Sequence, residues 1–373
     1  MRPSSEAELQ TIVAGAAGPL RIVGGGTRSY GLAQGDVLST AGLNGVTLYE
    51  PGALTLVVRA GTPLAEVAAL LAREGQGLPF EPMDHRGLLG SEGTPTIGGM
   101  VAANVSGPRR ISVGACRDFL LGVRFVDGVG RALKNGGRVM KNVTGYDLAR
   151  LIAGSHGTLG VLTEVSLKVL PVARAAQTLA LDGLDAARAV AALSRALGSP
   201  YEVSGAAHVA AGQARTLIRL EGFAASVAYR AERLGAVLAE FGDWEVLPDA
   251  TDIWRDVRDV AALHGGGDLW RVSARPSDGP GLAARVAGAD AVFDWGGGLI
   301  WLRVPEGTDL RAALGAFDGH ATLVRASSDT KLRLGVFPQS APPLAAIEAG
   351  LRARFDPRGI FNAGLMAPPE RVI

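Results

Sequence analysis

Gly93-Thr94-Pro95-Thr96-Ile97-Gly98-Gly99-Met100-Val101-Ala102-Ala103-Asn104, continued by Ser106-Gly107-Pro108-Arg109-Arg110, is the stretch on which the fold turns. Small residues dominate it. A backbone with so little side chain lets a flat ring lie close, with main-chain N–H groups free to bond the ring's heteroatoms. Tight helix–strand packing would use the same glycines.

Upstream lies Gly24-Gly25-Gly26-Thr27-Arg28-Ser29-Tyr30-Gly31, directly after the strand-like Leu20-Arg21-Ile22-Val23. Consecutive glycines allow φ > 0 and turn successive N–H groups toward one point, a nest for an anion such as a pyrophosphate. The run is not a G-x-G-x-x-G fingerprint, and no long helix is expected after it. Read alone, such a loop is more often a plain turn. Downstream come Val139-Met140-Lys141-Asn142-Val143-Thr144-Gly145-Tyr146-Asp147-Leu148 and then Gly154-Ser155-His156-Gly157-Thr158-Leu159-Gly160-Val161, which runs into a strand.

Around these segments the pattern predicts strands over 54–59, 121–126 and 160–169 and a helix opening at Thr62 as N-cap with Pro63 in first position. Its apolar face is Leu64, Val67, Ala68 and Leu71, and Gly75 stops it. Ser5-Glu6-Ala7-Glu8 reads as a capping box for an N-terminal helix. Near residue 172 the pattern changes. Strand-like runs at 177–181, 216–221, 270–274, 299–304 and 320–325 alternate with helices such as 226–241 and 309–317, which implies an α+β unit with a mainly antiparallel sheet. A helix over 344–354 precedes Phe355-Asp356-Pro357-Arg358-Gly359-Ile360-Phe361-Asn362.

Composition narrows the chemistry. The 373 residues exceed what one core usually holds, so two domains are expected. With 37 basic and 36 acidic residues the net charge is +1, and no dense basic run tracks nucleic acid. Only Lys134, Lys141, Lys168 and Lys331 are lysines. The single cysteine, Cys116, can form no internal disulfide and cannot ligate an iron–sulfur cluster in the usual way. His85, His156, His208, His264 and His320 lack metal-ligand spacing and read as surface or turn residues, so no metal is expected. A polar N-terminus and the lack of a long apolar run predict a cytoplasmic protein with no signal peptide and no membrane span, any membrane association being peripheral and through partners.

The ordered set GGGT, TIGGMVAANVSGPRR, MKNVTGYDLARLIAGSHGTLGVLTEVSLKVLP and FDPRGIFNAG resembles the vanillyl-alcohol-oxidase-type (PCMH-type) FAD-binding family and, within it, the FAD-binding E subunits of bacterial glycolate oxidases. The resemblance implies an α+β fold. A PCMH-type FAD-binding domain of two α+β subdomains would span residues 1–172, a second α+β domain 173–335, and a segment returning to the first domain 336–373. It implies that Gly24, Gly25, Gly26 and Thr27 cradle the FAD pyrophosphate, with Arg28 and Tyr30 nearby. Thr96, Ile97, Gly98, Gly99 and Ala102 would run beside pyrophosphate and isoalloxazine, followed by the loop Ser106, Gly107 and Arg109. Gly157, Gly160 and Val161 would meet the pyrimidine side, and Pro79 and Pro82 would flank the cofactor. Arg109 and Lys141 are the candidates for a basic group near flavin N1.

Two departures shape the expected function. The first glycine-rich loop offers no histidine, so FAD is expected to be non-covalent. The histidine- and glutamate-rich metal site of related 2-hydroxyacid dehydrogenases is missing from the sequence. The expectation is therefore an FAD-binding subunit of a glycolate (2-hydroxyacid) oxidase complex. It would take hydride at flavin N5 and pass electrons to an iron–sulfur partner, beside a second FAD subunit. A free-standing FAD oxidoreductase for another small polar substrate, and a non-catalytic FAD-carrying assembly subunit, are the alternatives. Arg271 and Arg303, each near an aromatic wall, are candidates for a small carboxylate because guanidinium binds it bidentately, although an arginine so placed more often covers the sheet surface with its stem. Asn362 is a candidate because its segment returns to the flavin side, with a plain turn as the other reading.

Overall fold

The computed structural model describes residues 1–28, 30–138 and 145–366, so the expectation placed on Lys141 and its neighbours 139–144 lies outside the described residues. Five antiparallel strands form one sheet in the order Val46–Glu50, Thr55–Arg59, Val161–Lys168, Leu120–Val126, Ala132–Gly136. Its central strands are nearly continuous in buried Leu, Val and Phe, as a sheet covered on both faces requires. Beside it, Leu20–Val23 pairs in parallel with Asp36–Ser39, and Phe361 bridges to Leu20. The Leu20 N–H donates to Ile360 O and the Asn362 N–H to Leu20 O, so the chain's last described segment lies against its first strand.

Residues 175–325 build an eight-stranded sheet in the order Glu245–Leu247, Ala175–Asp182, Arg215–Gly222, Val203–Val209, Asp290–Asp294, Leu299–Val304, Asp268–Ala274, Gly319–Arg325, with every pairing antiparallel. The helices Ala186–Leu197 and Ala224–Val237 cover it, each burying one stripe: Ala189, Val190 and Leu193 on the first, Val227, Ala231 and Leu234 on the second. One continuous core joins the two sheets. Leu56, Val58, Phe125 and Val165 from the smaller sheet share it with Leu269, Val292, Leu299 and Trp301 from the larger.

Local expectations hold with instructive shifts. The N-terminal helix Glu6–Gly15 is capped by Ser5, whose side chain accepts from the Glu8 N–H. The reciprocal half of the box slides by one residue, since the Glu8 carboxylate accepts from Ser4 N–H at 2.8 Å and from Ser4 Oγ at 2.9 Å. Thr62 is not the cap of the next helix, Leu64–Ala72. Its hydroxyl is drawn away to Gly45, accepting from that residue's N–H at 3.0 Å. Only Val67 and Leu71 of the expected face are buried, while Ala68 is exposed. The strand Val203–Val209, poor in β-branched residues, is invisible to the sequence pattern. Gly205 within it makes room for a tryptophan, because a Cβ there would stand 2.9 Å from the Trp254 ring.

Candidate flavin cleft and adjoining cavity

The glycine loop after Leu20–Val23 is held by its neighbour. Thr94 N–H donates to Gly25 O at 3.0 Å, and the two backbones touch so closely that a Cβ on Gly25 would sit 1.5 Å from Thr94 O. Gly26 has φ +76° and only open space where a Cβ would stand. The N–H groups of Gly25, Gly26, Thr27 and Arg28 find no acceptor among the described residues. An unsatisfied run of donors beside a cavity suits an acceptor-rich ligand.

That cavity is a cleft of about 1030 Å³, partly open to solvent. Gly24–Arg28, Tyr30, Thr96, Gly98, Gly99, Ala102, Gly157, Gly160 and Asn362 line it. Thr96 caps the short helix Ile97–Ala102, its side chain accepting from the Gly99 N–H. Across the cleft, the hydroxyl of buried Ser155 has no hydrogen-bond partner among the described residues. Unmatched donors on one wall, an orphan hydroxyl on the other and glycines between them fit a long, flat, oxygen- and nitrogen-rich cofactor.

Not every expected residue faces this space. Ile97 and Val161 are fully buried in the core behind it, because their helix and strand positions turn their side chains away. Pro79 and Pro82 do not line it either. Asn362 lines it, but both ends of its amide are taken. Its Oδ1 accepts from Ile22 N–H at 2.7 Å and its Nδ2 donates to His156 O at 2.8 Å. The residue ties the first strand to the 154–157 loop.

A second cavity of about 490 Å³ lies between the two sheets and shares Tyr30 with the first. Ser106 and Gly107 line this one instead of the cleft, with His85, Arg110, Arg271, Asp294 and Trp301. Arg110 and Arg271 lie over the Trp295 ring, 4.4 and 5.3 Å from its centroid. Neither guanidinium forms a hydrogen bond or ion pair among the described residues. Burial, with Arg110 adding to it, brings the Arg271 pKa down to about 10. Burial lifts the Asp294 carboxyl to about 7, against the pull of the Trp295 N–H that donates to it.

Arg303 is not part of either cavity. Its guanidinium is bound to Asp290, directly opposite on the next strand, at 2.6 Å, and to His264 O at 3.0 Å. Arg109 is likewise committed elsewhere. It pairs with Glu221, while Glu81 bonds Arg219 at 2.9 and 3.0 Å, so the four charges tie the loops at 81 and 109 to the eight-stranded sheet. Arg109 does not line the cleft.

The histidines depart furthest from expectation. His85 and His208 are buried, not surface residues, and His156 is half-buried against Tyr30 and Phe337. Burial lowers His156 and His208 to about 4. His85 lies far below its ordinary value through burial and the charge of Arg28. Among the described residues, no group of three His, Cys, Asp or Glu is placed to hold a metal, and no helix is long and apolar enough to cross a membrane.

Residues 1–136 match the model of a family described as an FAD binding domain. Over 353 residues the chain is 36% identical to the glycolate oxidase protein GlcE of Escherichia coli, covering 93% of this chain and 92% of that one. The chain belongs to the GlcE family of glycolate oxidase subunits. D-lactate dehydrogenase of Archaeoglobus fulgidus is 32% identical over 188 residues, 48% of this chain and 40% of the relative. Among solved structures, alkyldihydroxyacetonephosphate synthase superposes with a TM-score of 0.67 at 17% identity, over 98% of this chain and 76% of that one, which shows the shared fold. This GlcE-family member is thus an FAD-dependent oxidoreductase subunit with a PCMH-type α+β fold, and FAD is its cofactor.

Proposed function

We propose that this chain is the GlcE-type member of a glycolate (2-hydroxyacid) oxidase complex. In this reading it holds one FAD non-covalently in the cleft and admits a small 2-hydroxyacid to the adjoining cavity. The observation that carries it is the row of unpartnered N–H groups from Gly25 to Arg28 opening on the same space as Tyr30, which both cavities share. We divide the chain at about residue 172 into an FAD-binding unit and a cap unit, with residues after 335 returning to the first. Support comes from the sheet composition and from the Ile360–Leu20 and Leu20–Asn362 bonds.

The N–H groups of Gly25 to Arg28 would bind the pyrophosphate, and the Ser155 hydroxyl would meet a polar edge of the cofactor. Gly98, Gly99 and Ala102 keep the wall low enough for a flat ring. Bound there, FAD supplies hydride acceptance at N5 and onward release of electrons. Arg271 and Arg110 would hold the substrate carboxylate, because two unpaired guanidinium groups in a partly dry cavity gain most from an anion. Trp301 and Leu299, both buried in the core, form the inner wall of that cavity.

Onward transfer calls for partners, since one buried cysteine supplies no cluster ligands. An iron–sulfur subunit and a second FAD subunit are proposed. The helix Pro342–Phe355 buries none of its side chains and leaves Leu344 and Ile347 exposed, which suits a protein contact. The same buried, unpaired thiol accords with a reducing cytoplasm.

Anaerobic addition of glycolate to the isolated FAD-loaded chain, and to the chain co-expressed with its partners, tests this reading. Bleaching of the flavin band in the complex supports it. Bleaching in the isolated chain would make the protein a free-standing enzyme, and none in either would make it an assembly subunit.

A further inference from the structure

Among the described residues Tyr30 alone lines both cavities, and there its hydroxyl has a single partner, His85 Nε2, at 2.5 Å. The other ring nitrogen of His85 faces Arg28, whose Nε lies 3.2 Å from Nδ1. Guanidinium nitrogens only donate. His85 Nδ1 must therefore offer its lone pair, and a neutral imidazole then carries its proton on Nε2. That proton then points to the Tyr30 oxygen. The phenol accepts from His85, and its own O–H proton is left without a protein acceptor.

In this tautomer the chain runs from Arg28 through His85 to Tyr30. Burial and the Arg28 charge keep His85 neutral, and burial holds the Tyr30 pKa at about 12, so the phenol keeps its proton. Met83 O, which takes Arg28 Nη2 at 3.4 Å, is a second acceptor beside the ring, and a His85 proton on Nδ1 would turn to it and reverse the chain. Around the same cavity stand Arg271 and Arg110, both positive and both unpaired, sharing the Trp295 ring. Each of the three has hydrogen to offer to the cavity, whose lining also includes the buried Asp294 carboxyl.

We propose that Arg28, His85 and Tyr30 form a one-way hydrogen-bond relay whose free Tyr30 hydroxyl proton, with Arg271 and Arg110, makes a binding site for a small carboxylate in the inter-sheet cavity. Tyr30 donates to one carboxylate oxygen, and the two guanidinium groups neutralise the charge. His85 is a positioning residue that never touches the ligand and sets only which way the phenol points. The choice of occupant deepens the functional reading above and rests on it, while the relay itself does not.

Two measurements on the purified full-length chain test it, with oxalate as a carboxylate that cannot reduce a flavin. Long-range ¹H–¹⁵N spectra of histidine-labelled protein at pH 7, with the His85 signal assigned by its loss in His85→Asn, are expected to show a neutral ring protonated on Nε2. A ring protonated on Nδ1, or an imidazolium, overturns the relay. In calorimetry the wild-type chain is expected to bind oxalate, and Tyr30→Phe about tenfold more weakly at unchanged melting temperature, the loss of one hydrogen bond to a charged group. No binding by the wild type, or equal binding by Tyr30→Phe, overturns the site. Neither readout uses the flavin, so a chain that holds no FAD would sink the proposed function and leave this inference standing on its own result.

Discussion

Arg271 and Arg303 illustrate how far single residues can be read from sequence. Both stand on strands beside aromatic residues, and nothing in residue type separates them. The fold separates them through register, which sets Asp290 opposite Arg303 and leaves Arg271 facing a cavity. Arg271→Met is expected to weaken glycolate or oxalate binding about a hundredfold, the loss of a bidentate charged contact, with FAD content unchanged. Calorimetry on the variant checks it. His85 escapes a sequence reading because its meaning lies in Arg28 and Tyr30, more than fifty residues earlier in the chain. His208 offers a test of burial alone. Its folded pKa of about 4 lies below the ordinary 6.5, so the unfolded chain takes the proton first and stability falls as pH drops through that window. The raised Asp294 works in the opposite sense over nearly the same window, losing its contribution as pH rises toward 7. Urea unfolding of His208→Leu between pH 6.5 and 4 is expected to lose about 3 kcal/mol less than the wild type. Parallel curves would show that His208 titrates normally.

At the scale of elements, the sequence marks the glycine loop as a plain turn or an anion nest, but not the different duties of its glycines. Gly25 is required by the backbone of Thr94 pressed against it, a contact between segments far apart in sequence. Gly26 is required by φ +76° and borders open space. Gly25→Ala must move backbone and is expected to cost folding and FAD binding together. Gly26→Ala is expected to cost only about 1–2 kcal/mol of stability, the strain of a left-handed residue, while FAD affinity falls far more because the new methyl enters the cleft. Thermal melts with and without FAD separate the two, and equal effects of both variants would contradict the assignment. The strands most visible in the sequence are those rich in Val, Leu and Ile, such as Leu299–Val304. Val203–Val209 escapes because its side chains are small to admit Trp254, a demand made by a distant helix.

Across the whole molecule, the sequence pattern changes near residue 172, and the five-stranded sheet lies before that point and the eight-stranded sheet after it. How the parts meet cannot be read from the sequence. Arg109 reads from sequence as a cofactor residue, yet it joins Glu81, Arg219 and Glu221 in a largely buried network between the loops at 81 and 109 and the eight-stranded sheet. Glu221→Ala leaves two guanidinium groups short of a partner and is expected to lower stability by about 3 kcal/mol, with little dependence on added salt. A loss under about 1 kcal/mol in urea titrations would mean that the network is dispensable. The whole account depends on one FAD lying non-covalently in the cleft behind Tyr30. The most direct test is the visible spectrum of the purified chain after FAD reconstitution and desalting, followed by acid precipitation. One flavin per chain, released fully into the supernatant, is the predicted result. A desalted chain without a flavin band, or flavin that stays with the pellet, would contradict it.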